Sequence, residues 1–339
     1  MDTDNMDKKT QTETPDSSLL TVSPSPHIKH PDTISSVMLN VIIALFPALC
    51  WGVYTFGLRA LTIVLISVIS CVGFEAGIQL ILKQPVTVLD FSAVVTGILI
   101  GMNLSPAVPL WIPAVGSFFA IVVVKQLFGG IGKNIVNPAL AARVFMFSWA
   151  NEMGAFYAPK TSASPFKITL ESTDMIASAT PLTFLKNGKL PDVTMFDLIM
   201  GNIGGAIGEI SALLLIAGGI YLLVTKVITW HIPAAYIGSV AAITYFFPQN
   251  DQSMSFMLCE VFAGGLILGA FFMATDYVTS PVTESGKIIF GVGCGLITVF
   301  IRYFGGYPEG VSFSILIMNL LVWYIDKFTK SVRFGGKKQ

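Results

Sequence analysis

The sequence predicts an all-α, polytopic membrane protein with about ten transmembrane helices in two inverted five-helix repeats. The first observation is composition, because 53% of the 339 residues are hydrophobic and only 12% are charged. Soluble domains carry about 25% charged residues. The second observation is that apolar residues fall in long runs, and about 20 such residues span a bilayer. The third is the recurrence of short glycine motifs in the two halves of the chain.

Ten apolar runs are the predicted spans. The third and fifth runs are short and contain or border Gly and Pro, which predicts broken or re-entrant segments. The sixth run is long and rich in Gly, which predicts a tilted span or one that starts as a surface segment. The runs cover residues 37–56, 60–82, 88–104, 110–128, 135–150, 197–224, 232–248, 256–274, 287–304 and 311–328.

Polar segments divide the chain into five regions. The N-terminal region lacks the early apolar core of a cleavable signal peptide, so it is predicted to be a polar tail. The predicted regions are a cytoplasmic tail (1–35), the first five-helix repeat (36–150), an extracytoplasmic loop (151–196), the second five-helix repeat (197–328) and a basic cytoplasmic tail (329–339).

The distribution of Lys and Arg predicts that both termini are cytoplasmic. With the N-terminus inside, 13 basic residues fall on the inner side and six on the outer side, while Arg143 lies within a span. Basic residues are enriched on the cytoplasmic side of membrane proteins. The same topology places the long polar loop outside the cell.

Two pairs of motifs suggest the repeat. Gly97–Gly101 in the third run resembles Gly265–Gly269 in the eighth, and Phe128–Gly130 resembles Phe304–Gly306. Five crossings separate the third and eighth runs, so these two runs are antiparallel. This is the arrangement of an inverted repeat, with the long polar loop as the joint.

Charge and metal-ligating residues exclude several classes of protein. The formal net charge is zero, which removes the electrostatic basis for binding nucleic acid. The cysteines stand singly in apolar runs and form no C-x-x-C pair, and the three histidines are scattered. No metal site is therefore predicted. The cysteines are Cys50, Cys71, Cys259 and Cys294.

The long polar segment contains the stretch Asp174–Leu182, which reads D-M-I-A-S-A-T-P-L. Pro181 restricts Thr180 to extended geometry and has no backbone donor. The Thr180 hydroxyl is therefore expected in an accessible turn. From the residues alone, the stretch is either an ordinary loop or a site of modification.

This stretch resembles the flavin-attachment site of the D subunit of Rnf-type electron-transfer complexes, and that of the B subunit of the Na⁺-translocating NADH:quinone reductase. In that family a flavin transferase joins FMN to a threonine through a phosphoester bond. The motif has Asp six residues before the threonine and Ala directly before it, as Asp174, Ala179 and Thr180 do here. The chain departs at Ala177, where Ser or Thr is usual, and at Ser178, where Gly is usual.

The resemblance covers most of the chain and implies a function. Other matching motifs are Ser25–His27, Asn137–Ala139, Gly269–Asp276, Thr279–Pro281 and Gly305–Gly310. They imply a subunit that relays electrons between ferredoxin and NAD, coupled to Na⁺ or H⁺ movement, without catalysing the net reaction alone. The implied cofactor is FMN on Thr180. The resemblance to the B subunit also suggests a noncovalent riboflavin as a second cofactor.

The resemblance also implies partners and a location. The partners are the other subunits of the complex, among them a second subunit with covalent FMN and iron–sulfur subunits. A flavin transferase is needed for maturation, and it would recognise Asp174, Ser178 and Ala179 around the acceptor. The location is the cell membrane, the inner one where there are two, of a bacterium or archaeon.

The segment N-I-V-N-P-A-L-A-A-R places Asn137 at a helix start and Arg143 deeper in the membrane. Burying the charge of an arginine in the bilayer costs free energy, so such a residue usually pairs with an acidic group or an anion. Two readings stay open. Either Arg143 and Asn137 contact the flavin ring or its phosphate, or Arg143 forms an ion pair with Glu209, Glu75 or Glu260.

A second stretch, Gly269–Pro281, begins in an apolar helix and ends in the turn T-S-P. Asp276 stands at the predicted inner boundary of the membrane. One reading is that Asp276 and Thr279 bind the coupling ion or a second flavin. The other is that Asp276 caps a helix end.

Three other functions compete with the Rnf-type D subunit. The B subunit of the quinone reductase is disfavoured by the short N-terminal tail and the moderate length. A flavin-free solute transporter or channel fits the inverted repeats equally well, but it has no need of the Thr180 acceptor. A purely structural anchor does not explain Arg143 and Asp276 within apolar surroundings.

Overall fold

The computed structural model describes residues 33–154, 156, 180–250 and 252–330, and these residues form helices and turns without a β-strand. In the first half, α2 follows α1 directly, and α4 continues as a π-helix over Phe119–Gln126. The helices of this half are α1 (Ile34–Phe56), α2 (Leu58–Ile81), α3 (Ser92–Met102), α4 (Trp111–Phe118), α5 (Pro138–Met146) and α6 (Ala150–Met153).

The second half begins with two short helices and ends with two long ones. Helix α12 continues as a π-helix over Gly269–Met273. The helices are α7 (Pro181–Lys186), α8 (Met195–Met200), α9 (Ala212–Val224), α10 (His231–Phe246), α11 (Ser253–Phe262), α12 (Leu266–Leu268), α13 (Glu284–Phe304) and α14 (Val311–Thr329). All of them belong to one compact unit.

Four helices of the described chain, α1, α2, α13 and α14, are long and apolar enough to cross a membrane. A fifth candidate is the pair Ser253–Phe262 and Leu266–Met273, which is bent by 59° at its break. Large apolar side chains on these helices face outward, such as Ile69 and Phe300, which are 67% and 63% exposed. The helical membrane class is confirmed, and the count of about ten crossings stays a prediction.

Four of the expected spans differ from continuous crossing helices: the eighth is the bent pair just described, and the third, fifth and sixth are shorter or divided. The third run holds the 11 residues of α3 after a short 3₁₀ turn. The fifth run holds the nine residues of α5, which reach about 14 Å and do not cross about 30 Å of hydrocarbon alone. The sixth run is two helices, because Gly201 ends α8 with a left-handed φ of 96° and α9 starts only at Ala212.

The described part of the polar segment before α8, residues 180–194, is more structured than a solvated loop. Pro181, Leu182 and Leu185 of α7 are buried, and α7 packs against α11. Burial of these apolar side chains holds α7 against the helices of the second half. The residue at its N-terminus, Thr180, is therefore held beside the helical core.

Each half has a helix that contacts two other helices of the same half. Helix α2 contacts α3 and α4, and α10 contacts α11 and α13. The halves meet where α1 contacts α9 and where α5 contacts α14.

The two similar glycine motifs have different surroundings. A Cβ on Gly97 would lie 2.6 Å from the Val68 Cα atom, so α3 approaches the α2 backbone closely. A Cβ on Gly265 would lie 2.5 Å from a Glu309 carboxylate oxygen and 2.6 Å from one of Glu209. The second motif therefore lies beside buried charges and not beside another helix backbone.

Candidate functional site

Buried charged side chains lie in three groups in the described chain. Lys125 donates to Glu75 at 2.5 Å, and Arg302 donates to Glu260 at 2.6 Å. The third group consists of Arg143, Glu209 and Glu309 and is here called the Arg143 cluster. A charge in a low-dielectric interior is tolerated only with partners and hydrogen bonds. Each pairing therefore constrains how its helices pack.

Arg143 lies on α5 and is 4% exposed. Its Nη1 donates to Glu209 at 2.9 Å and to Glu309 at 3.3 Å, and also to the Asn103 side-chain oxygen. Its Nη2 donates to the second Glu309 oxygen. Of the partners considered from sequence, Glu209 is correct, whereas Glu75 and Glu260 pair with Lys125 and Arg302.

Glu309 is the partner that sequence reasoning missed. It lies in the Gly305–Gly310 motif between α13 and α14, where the sequence shows only a turn with one acidic residue. One carboxylate oxygen also accepts a hydrogen bond from the Gly265 amide at 3.2 Å. Glu309 therefore connects α5 of the first half to the start of α12 in the second.

The break between α11 and α12 is stabilised by charges at both new helix ends. Gly264, with a left-handed φ of 72°, lies at this break, where the two helices are bent by 59°. Arg302 donates to the carbonyls of Glu260 at 2.5 Å and Ala263 at 3.4 Å, at the C-terminus of α11. Glu309 accepts from Gly265 at the N-terminus of α12. Cations at helix C-termini and carboxylates at N-termini are both favourable.

Thr180 is the residue immediately before α7. Its φ of −72° and ψ of 153° are extended, as Pro181 predicts. Its partly exposed hydroxyl lies 3.0 Å from that of Thr183. Asp174, Ser178 and Ala179 lie outside the described residues, so their predicted role stays a prediction.

Two cavities share Thr180. The larger one, called the Thr180 cavity, is about 400 Å³ and is also lined by Asn103, Arg143 and Thr183. The smaller one, about 40 Å³, is lined by Leu182, Glu209 and Gly264, among others. The larger volume is within the range of small-molecule sites. The residues that line both cavities are Phe156, Thr180, Pro308 and Glu309.

The Thr180 cavity has an aromatic wall. Phe147 and Tyr307 line it, and their ring centroids are 5.2 Å apart. Phe313 stacks behind both rings, at 5.8 Å from Phe147 and 6.0 Å from Tyr307. Sequence reasoning did not predict this wall, because Phe147 and Tyr307 are 160 positions apart and neither belongs to an aromatic motif.

Asn137 is used within the protein. Its side-chain oxygen accepts from the amides of Ala139 and Leu140, which caps α5. Its side-chain nitrogen donates to the Met273 carbonyl at 3.2 Å. Within the described residues, Asn137 is not part of the lining of either cavity that contains Thr180. Its predicted contact with a cofactor stays a prediction.

Asp276 lies at a third cavity of about 110 Å³, called the Asp276 cavity, whose lining includes Ser92 and Lys125. The carboxylate accepts from the Val278 amide at 3.4 Å and from the Thr279 hydroxyl at 3.1 Å. Burial raises the pKa of Asp276, and these two hydrogen bonds lower it by less. The carboxylate thus makes local, cap-like bonds and also faces a cavity.

Helix α3 separates the two predicted functional regions. Ser92 at its start lines the Asp276 cavity, and Asn103 just after its end lines the Thr180 cavity. Eleven helical residues extend about 16 Å. Thr180 and Asp276 therefore line different cavities, at opposite ends of α3.

These features define a class of protein: a helical membrane protein whose halves meet at buried ion pairs beside a cavity with a threonine at its rim. Residues 21–335 match the NQR2, RnfD, RnfE family, and the chain belongs to that family.

Relatives with full-length similarity carry the names of D subunits of redox complexes. The chain is 49% identical over 323 residues to the D subunit of the Na⁺-translocating ferredoxin:NAD⁺ oxidoreductase complex of Acetobacterium woodii, covering 94% of this chain and 96% of the relative. It is 39% identical to the D subunit of the proton-translocating ferredoxin:NAD⁺ oxidoreductase complex of Clostridium ljungdahlii, covering 94% and 97%. It is 36% identical to the D subunit of the ion-translocating oxidoreductase complex of Stutzerimonas stutzeri, covering 89% and 92%.

Proposed function

We propose that this protein is the D subunit of an Rnf-type complex, an ion-translocating ferredoxin:NAD⁺ oxidoreductase, and that it relays electrons through FMN joined to Thr180. Relatives named as the D subunit match the chain over nearly its whole length. This favours the D subunit over the B subunit of the quinone reductase. One of these relatives is named for Na⁺ and the other for protons, so both ions are candidates for coupling.

The observation that carries the proposal is the position of Thr180 at the rim of a cavity with an aromatic wall. A covalently attached FMN fits these residues, because the hydroxyl is accessible, the volume suits a small molecule and the rings of Phe147 and Tyr307 suit a planar group. When bound, FMN supplies reversible electron transfer. Thr180 holds the group, and Phe147 and Tyr307 orient its ring.

Arg143 contributes to this site from within the protein. Its guanidinium lines the Thr180 cavity while bonded to Glu209 and Glu309. We propose that it holds these two side chains in place, and that contact with the flavin is secondary. Asp174, Ser178 and Ala179 are proposed as the recognition sequence for the flavin transferase.

The inverted five-helix repeat is part of the proposal. It is supported by the similar helix neighbours in the two halves and by the contacts of α1 with α9 and of α5 with α14. In each half, a basic residue close to a Phe-Gly-Gly motif pairs with a buried glutamate, as Lys125 does with Glu75 and Arg302 with Glu260. With both termini inside, Thr180 is on the outer side.

Asp276 and Thr279 are proposed to act on the other side of the membrane, at the coupling ion or at a noncovalent riboflavin. The support is the Asp276 cavity, whose wall carries this half-buried carboxylate together with Ser92 and Lys125.

The test is covalent flavin on purified protein after coexpression with a flavin transferase. We expect intact mass to show one added FMN, and Thr180→Ala to abolish in-gel flavin fluorescence. Thr183→Ala removes a hydroxyl 3.0 Å away and is the matched control, which we expect to keep the fluorescence. Fluorescence that persists in Thr180→Ala would reject the attachment, and a flavin-free wild-type protein would favour a transporter.

A further inference from the structure

Glu309 and Thr180 both line the larger and the smaller cavity, so both lie where the two cavities adjoin. The Glu309 side chain is 13% exposed, so its carboxylate is largely shielded from water. Any group carried by Thr180 in the larger cavity therefore shares that cavity with the Glu309 carboxylate.

Glu309 is held by two elements at once. It accepts from Arg143 of α5 with both oxygens and from the Gly265 amide at the start of α12. A carboxylate with several charge-assisted hydrogen bonds has a defined position. Motion of the break at Gly265 relative to α5 therefore changes the bonds of Glu309.

The lining of the two cavities holds more carboxyl groups than cations in the described residues. Arg143 is the one cation in their described lining, against the carboxylates of Glu209 and Glu309. Nearby, Lys186 is partly exposed to solvent and donates to the Gly306 carbonyl at 2.7 Å, so water screens its charge. Because Arg143 already binds two carboxylates, Glu309 adds negative charge where water is scarce.

We propose that Glu309 is a positioning residue for the group on Thr180: acting through Arg143 and Gly265, it fixes the wall of the Thr180 cavity and adds negative charge to that wall. The inference rests on the proposed function only in identifying that group as FMN. Negative charge beside a flavin disfavours its reduced, more negative forms, so Glu309 would lower the midpoint potential of this FMN.

The main experiment needs no flavin. Thr180→Cys is made in a chain whose four native cysteines are replaced, and the pKa of the new thiol is obtained from its alkylation rate against pH. Loss of a nearby carboxylate favours a thiolate, so Glu309→Gln is expected to lower this pKa by about half a unit to one unit. Glu284→Gln, an exposed glutamate at the far end of α13, should leave it unchanged.

Glu309→Gln is expected to fold, because Arg143 keeps Glu209 as its partner. If Glu309→Gln does not fold, a second variant tests the proposal. Glu309→Asp keeps the charge but shortens the side chain, so it cannot hold both Arg143 and Gly265. We expect it to raise the limiting alkylation rate at high pH, as the wall loosens, while the pKa moves less than in Glu309→Gln.

A thiol pKa that is the same with Glu309 and with Glu309→Gln would overturn the proposed charge. An unchanged limiting rate in Glu309→Asp would overturn the proposed positioning. On flavin-loaded protein, Glu309→Gln should raise the FMN midpoint potential. If Glu309 had only a structural role, the substitution would leave that potential unchanged. If Thr180 carries no flavin, the proposed function fails while the thiol experiment still decides the role of Glu309.

Discussion

Arg143 and Glu309 are 166 positions apart in the sequence and form a two-point ion pair beside Thr180. Arg143 belongs to α5 in the first half of the chain, and Glu309 precedes α14 in the second. Because α5 also contacts α14, this pair lies where the two halves meet. The boundary between the halves is therefore also the wall of the candidate site.

Replacement of Arg143 should destabilise the protein strongly. In Arg143→Met, the carboxylates of Glu209 and Glu309 remain buried without their common cation, which costs about 3–5 kcal/mol. The measurement is thermal unfolding of the purified protein in detergent. Lys189→Met, at an exposed position, is the control, since an exposed charge contributes about 1 kcal/mol or less. Equal stability of the two variants would contradict the structural importance of the Arg143 cluster.

The approach of α3 to α2 should make Gly97 intolerant of a side chain. A Cβ there would lie 2.6 Å from the Val68 Cα atom, so Gly97→Ala should cost about 1–3 kcal/mol by overpacking. Gly73 on α2 is the matched control, because nothing lies within 4 Å of its added Cβ. We expect Gly73→Ala to be neutral or stabilising, and unfolding curves that rank the variants the other way would contradict this packing.

The proposed orientation predicts different labelling of two single cysteines. In a background without native cysteines, Lys186→Cys next to the Thr180 cavity should react with an impermeant reagent in intact cells. Lys337→Cys in the basic tail should react only after the cells are opened. The reverse pattern would invert the topology derived from the Lys and Arg distribution.

Asp276→Asn separates a charge role from a capping role. Asn caps helices about as well as Asp, so a purely capping residue would leave both electron transfer and ion transport near normal. If the carboxylate serves ion movement, the variant should keep FMN on Thr180 and lose ion transport more than electron transfer. The two activities are measured side by side in inverted vesicles, with Asp192→Asn, at an exposed carboxylate, as control.

Local features of the site could be predicted from the sequence. Pro181 alone accounts for the extended backbone of Thr180, and Asn137-Pro138 accounts for the start of α5, where the Asn side chain caps the helix. These features depend on a few adjacent residues whose steric limits and donors are known from their chemistry. The break at Gly264 is not predicted, because residues 256–274 are expected to form one continuous span, whereas the structure bends there by 59°.

The sequence by itself determined the class of protein, the apolar runs, the family resemblance and the need of Arg143 for a partner. Only the tertiary structure decided which partners Arg143 has, because several glutamates in the sequence are equally plausible partners. It also decided that Glu309, Thr180, Phe147 and Tyr307 surround one cavity. The physical reason is that backbone geometry is set by near neighbours in the chain, whereas ion pairs and cavities are set by how distant helices pack.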